Sequence, residues 1–187
     1  TSRAYTMSAS LTFDMKSTLE AVLYLVKRLD ASSQQATLHK VFKLMYFADK
    51  LHLMKYGQLI FGDRYVAMRN GPVPSATYDI TKVARGDREH APEAITPFLN
   101  AIEIDQRYHN SRLREPNLDW LSPSELECLD ESIKKHGSCT FKQLTDMSHD
   151  ASWQATDENH TISIEAFTLG MPDRDALLAH LRADCRE

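Results

Sequence analysis

At 187 residues with 42% hydrophobic content, the chain can bury a core as one domain with or without appended elements, which excludes a disordered polymer. No apolar run nears the roughly 20 residues that span a bilayer, and the opening TSRAYTMSAS lacks the basic-then-apolar order of a secretory leader, so a cytoplasmic protein without a membrane partner is expected. The net charge of −4 is uneven: residues 1–99 carry thirteen Lys and Arg against nine Asp and Glu, residues 100–187 nine against seventeen, which fits either a basic binding face on the first half or an ordinary solvated surface.

Residues 1–16 read as an N-terminal tail; residues 1–6 precede Met7, an available start, and carry no structural weight. Residues 17–29, STLEAVLYLVKRL, place apolar side chains at near-helical spacing behind Ser17 as a cap. After the polar loop DASSQQAT, Thr37 caps a second helix over residues 38–56, and Gly57 stops it. Two apolar seams run along that helix: Leu38, Val41, Phe42, Met45 and Ala48 on one side, Leu44, Phe47, Leu51 and Met54 on another. A helix apolar on two sides is expected at the centre of its domain, with Lys40, Lys43, Asp49, Lys50 and Lys55 as its polar positions.

Two short runs of strand formers, QLIF and RYVAMR, flank Gly62-Asp63 and predict a β-hairpin turning there. In the following corner, NGPVP, Asn70-Gly71 tolerates positive φ, Pro72 and Pro74 lock φ, and Pro74 suits the first turn of a third helix, SATYDITKVAR, stopped by Gly86. FLNAIEIDQRYHN is expected to contain a strand with SRLREP as its partner. Ser122 and Glu125 form a capping box behind which Pro123 opens a helix ended by Gly137. TFKQLTDMSHDASWQATD predicts a short helix, a loop and a further turn, and residues 173–184 a last amphipathic helix. The fold class is therefore α+β, mainly helical, with a central buried helix, packed helices and a small antiparallel β-hairpin or sheet.

No catalytic constellation stands out. Ser148, His149 and Asp150 are consecutive, so their side chains diverge where a triad must converge. His136, Cys139 and His149 lack metal-site spacing, and neither phosphate-cradling glycine pattern occurs, so no cofactor is expected. Cys128, Cys139 and Cys185 are an odd number at wide spacing, read as packing residues of a reducing compartment. Residues 139–160 mimic a helix-turn-helix but hold one cation, Lys142, against four carboxylates, a poor match to phosphate, so a nucleic-acid partner is not expected there. The basic residues of the first half, including Lys40, Lys43, Lys50, Arg64, Arg69, Lys82 and Arg85, leave a surface for an acidic partner or RNA. Asp49, amid apolar sequence, requires a partner: Arg64 across the hairpin, or the hydroxyl of Tyr46 or Tyr65.

The pattern over residues 43–80 resembles the Panacea domain, the family of SocA-like antitoxins of bacterial and phage toxin-antitoxin systems. The residues that carry it are Lys43-Leu44, Tyr46, Ala48-Asp49, Tyr56-Gly57, Gly62-Asp63, Tyr65, Ala67, Gly71-Pro72-Val73-Pro74 and Tyr78, and SHDASW at residues 148–153 is similar to the family's later Ser/Thr-His-x-x-x-Trp segment. The resemblance implies a Panacea-like domain over residues 17–160, a C-terminal extension over residues 161–187, and an antitoxin that neutralises a protein toxin encoded by a neighbouring gene without catalysis. A relative that presents its toxin to a AAA+ protease makes an adaptor the alternative, and a DNA-binding repressor is a further one. Motif residues expected at the partner site or bracing it are Tyr46, Asp49, Arg64, Tyr65, Arg69, Pro72, Pro74 and Tyr78, with Arg64, Tyr65, Arg69 and Tyr78 as contacts because Arg and Tyr anchor interfaces.

Overall fold

A computed structural model describes residues 13–88 and 92–183. Residues 1–12 of the expected tail, Cys185 and the final residue of the expected last helix lie outside them. Among the described residues, no helix is long and apolar enough to cross a membrane.

The chain is mainly helical, with two small antiparallel hairpins. Helix α1, Met15–Ala31, starts two residues before Ser17 because Asp14 is the cap: its carboxylate accepts from the Ser17 N–H and from the Ser17 hydroxyl. Helix α2, Leu38–Tyr56, has the bounds its caps imply, Thr37 accepting from the Lys40 N–H and Gly57 adopting φ 73°. Both apolar seams meet neighbours except at Met54, the end of the second, which is exposed; α5, Pro123–His136, and α1 pack against α2. Leu44, Met45 and Leu53 are fully buried, each contributing about 2 kcal/mol by removal from water. The surprise is in the polar positions: Lys40, Lys43 and Asp49 are buried too.

The first hairpin differs from expectation. Strands β1, Tyr65–Met68, and β2, Gly71–Pro74, pair with Met68 opposite Gly71, so the turn lies at Arg69-Asn70 and the expected corner is itself a strand. Its positive φ, 98°, falls on Gly71, the first residue of β2 after the turn, where glycine carries no steric cost. QLIF forms no strand. Gly62-Asp63 makes no hairpin turn; instead Asp63 accepts from the N–H groups of Ala76 and Thr77 and from the Thr77 hydroxyl, capping α3, Ser75–Ala84, from a distance.

Two prolines in a strand are tolerated here for a readable reason. Tyr65 and Ala67, opposite Pro74 and Pro72, send their backbone bonds away from β2: Ala67 N–H to His160 O (2.9 Å), Asn159 N–H to Ala67 O (2.7 Å) and Ile162 N–H to Tyr65 O (2.8 Å). In an antiparallel ladder such pairs are the non-bonded ones, so neither missing proline N–H removes a ladder bond.

The second hairpin joins β3, Ile102–Ile104, to β4, Asn110–Arg112, after a short helix α4, Thr96–Leu99. Helix α5 carries the expected capping box of Ser122 and Glu125. Helices α6, Phe141–Ser148, and α7, Ala151–Gln154, follow, then α8, Ile164–Phe167, which no sequence signal marked, and α9, Arg174–Ala183. Residues 159–162 line β1, and Ile162 and Phe167 pack with Tyr46, Leu53 and Tyr65, so the chain crosses residue 160 without a break in packing. Cys128 is a buried core residue and Cys139 is half-buried, neither in a disulfide.

Candidate functional site

Helix α2 directs polar side chains to segments far apart in sequence. Lys40 Nζ donates to Gly137 O (2.7 Å), and Lys43 Nζ donates to Pro72 O (2.8 Å) on the side of β2 turned from β1. The Tyr46 hydroxyl donates to the Asp150 carboxylate (2.9 Å), which also caps α7 and pairs with Lys50 (3.2 Å). Asp49 accepts from the Ile60 N–H (2.7 Å), the Phe61 N–H (3.4 Å) and the Tyr65 hydroxyl (2.8 Å). Burial pushes the Asp49 carboxyl up to about 7, the bonds from Tyr65, Ile60 and Phe61 pulling the other way.

Of the three partners expected for Asp49, the structure brings the Tyr65 hydroxyl and neither Arg64 nor Tyr46. Strand alternation is the reason: Tyr65 and Ala67 face inward, so the preceding Arg64 faces solvent. Tyr46 meets Asp150 rather than Asp49. Tyr65 is 3% exposed, so its ring belongs to the interior and is not available as a surface contact. Pro72 and Pro74 are buried, Tyr78 is half-buried with its ring edge-on to Phe42, and Arg64 and Arg69 are exposed. The basic surface also shrinks: Lys40 and Lys43 are interior, while Lys82 and Arg85 are paired with Asp79 and Asp87.

The SHDASW segment closes on the hairpin tip. The His149 ring donates from Nε2 to Arg69 O (3.1 Å) and stacks on Trp153 at 3.7 Å, and Trp153 Nε1–H donates to Met68 O (2.9 Å). Ser148 Oγ donates to Thr145 O. The three consecutive residues thus serve three different contacts. A Cβ on Gly71 would lie 2.2 Å from Ser148 Oγ and 2.8 Å from Lys43 Cε, so glycine is required by packing as well as by φ.

Beside this braced tip opens a cleft of about 790 Å³ between the start of α2, the hairpin and the start of α6. Leu38, Phe42, Val73, Tyr78 and Leu144 are among its apolar lining. On the rim, Phe141 is 55% exposed and stacks on His39 at 3.8 Å, and Tyr108, held at φ 64°, is 50% exposed beneath the Arg85 guanidinium at 3.8 Å. Burial and nearby Lys43 bring His39 down to about 4, and burial brings Lys43 down to about 7. Among the described residues, no three His, Cys, Asp or Glu side chains gather closely enough to hold a metal ion. Sequence reasoning missed Asp63 and Asp150 as long-range brackets, although Asp150, three residues before Trp153, had cap spacing. Phe141, Tyr108 and Arg107 carried no signal, because their role depends on which segments the fold brings together.

Comparison with known families gives a model described as Antitoxin SocA-like, Panacea domain, matching residues 41–154, more than half of the chain. The chain belongs to this family. A search of curated proteins and a search of solved structures each returned no match. The Panacea match takes in the braces from Lys43 to Trp153, whereas the cleft also draws on residues 33–40, and β1 on residues 159–162, outside it.

Proposed function

We propose that this protein is an antitoxin that binds a toxin encoded by a neighbouring gene and blocks it by direct contact, without chemical turnover. Membership of the Panacea family supports a toxin-antitoxin role. The observation that carries the finer reading is how the motif's polar residues are used. Tyr46, Asp49 and Tyr65 are internal, bracing α2, the hairpin and α7 together, and the result is a preset surface with an open cleft at its edge. A preset surface loses little conformational entropy on association. Leaving little toxin unbound demands roughly nanomolar affinity, about −12 kcal/mol, over an interface of roughly 1,600 Å² in total. Arg69 and Tyr78 line the cleft and Arg64 lies on the neighbouring face, and these are the motif residues positioned for contact.

The test is co-expression with the adjacent gene. Its product alone should arrest growth, co-expression should restore growth, and the two proteins should co-purify. Restoration in a strain without AAA+ proteases is expected for sequestration; restoration only when such a protease is present would replace sequestration by delivery. A harmless neighbour, or rescue with no complex, would sink the proposal.

A further inference from the structure

This inference rests on the antitoxin reading and names what the cleft receives. Among the described residues, no Asp or Glu lines the cleft, yet His39, Lys40, Lys43, Arg69 and Arg107 do. Lys40 and Lys43 are interior and donate to carbonyl oxygens, so the charge exposed at the opening is that of Arg69 and Arg107. Arg28, Arg85, Arg112, Arg114 and Arg182 each meet a carboxylate. The guanidinium groups of Arg64, Arg69, Arg107 and Arg174 have no ion-pair partner among the described residues; Arg174 bonds to Thr168 and to the Glu165 carbonyl, and of the others Arg69 and Arg107 stand on this rim. The nearest carboxylate along the chain, Asp105, accepts from the N–H groups of Arg107 and His109 and meets the His109 ring. Two exposed guanidiniums thus stand at the opening of a largely apolar cleft, with exposed Tyr108 and Phe141 beside it.

We infer that the cleft receives an acidic segment of the toxin bearing one large apolar side chain. Its carboxylates meet Arg69 and Arg107, and its apolar group packs on Phe42, Val73 and Tyr78. Charge complementarity sets the sign of the ligand, and the apolar floor sets its second feature. A nucleic acid fits less well: counterion release needs a track of cations, and this rim offers two unpaired guanidiniums.

The experiment uses the full chain and the product of the adjacent gene. Arg69→Glu with Arg107→Glu should weaken the complex roughly 30-fold or more, as loss of an anchoring contact does. Phe141→Ala should weaken it by roughly 10-fold, whereas Lys134→Glu, exposed on α5 and off the cleft, should leave it unchanged. The altered side chains are exposed, and unchanged circular dichroism checks the fold. Single Glu→Lys or Asp→Lys changes across the toxin should include one that restores binding to the doubly reversed variant. If the wild-type complex forms and the double reversal binds as tightly, the cleft assignment is overturned while the antitoxin reading stands. If no wild-type complex forms, that reading falls and takes this one with it. A 20-nucleotide RNA or DNA duplex that binds and is lost on the reversal, with toxin binding intact, also overturns it.

Discussion

A carboxylate out of water and far from any cation is costly, and Asp49 persists because three donors converge on it. Asp49→Ala strands the Tyr65 hydroxyl and the Ile60 N–H, and should destabilise by about 3 kcal/mol in chemical denaturation. The need for a partner was legible in the sequence, since an aspartate stood among apolar residues. The choice of Tyr65 over Arg64 was not, because it depends on which way a strand faces. Lys43 offers a pH-dependent check. Burial lowers it from 10.5 to about 7, so between those values the unfolded chain holds a proton that the folded chain has released. Stability should therefore rise with pH between about 7 and 10.5, by up to about 1.4 kcal/mol per unit from this group. Asp49, raised from 3.8 to about 7, acts in a separate window: its contribution falls as pH climbs between those values and is flat above. Burial lowers Lys40 and Lys50 as well and adds a rise of the same sign at higher pH, so Lys43→Met should flatten the curve just above pH 7, and an unchanged slope there would assign it to another group.

Helices ended where their caps allowed, so α2 and α5 were legible to the residue: Thr37, Gly57, Ser122 and Glu125 each act within four residues of their own element. The hairpin was misplaced because Gly62-Asp63 carries the composition of a turn while its aspartate caps a helix more than ten residues away. Local chemistry cannot reveal a bracket whose other half is distant. The tip is where elements meet most tightly. Gly71→Ala forces a side chain into positive φ, about 1–2 kcal/mol, and into Ser148 and Lys43, about 1–3 kcal/mol more. Combining it with Ser148→Ala removes the nearest atom and should restore part of the loss. Strict additivity of the two changes in urea melts would mean that Gly71 and Ser148 do not press on each other.

For the molecule as a whole, the family pattern ends before the packing does. Residues 159–162 supply backbone bonds to β1, and Phe167 stacks on Tyr65 and meets Tyr46 edge-on. A chain cut after residue 158 would expose those rings and leave the β1 bonds open, so it should lose its cooperative thermal transition. A truncated chain melting as sharply as the full one would make residues 159–187 a separable extension. The mainly helical class and the central helix were readable from periodicity. The cleft was not, since Phe42, Tyr78, Arg107 and Phe141 come from four stretches that share no pattern.

The two prolines of β2 have a further effect on how anything can approach. The outward positions of that strand, Pro72 and Pro74, have no N–H to offer, and one outward carbonyl is already taken by Lys43. A passing strand therefore finds nothing to zip onto, which guards against edge-to-edge polymerisation and closes the route of recognition by strand addition. Any partner on this side, where α2 and α6 already pack against β2, must read side chains alone. Its identity can then drift through single substitutions on the rim while the backbone beneath stays as it is.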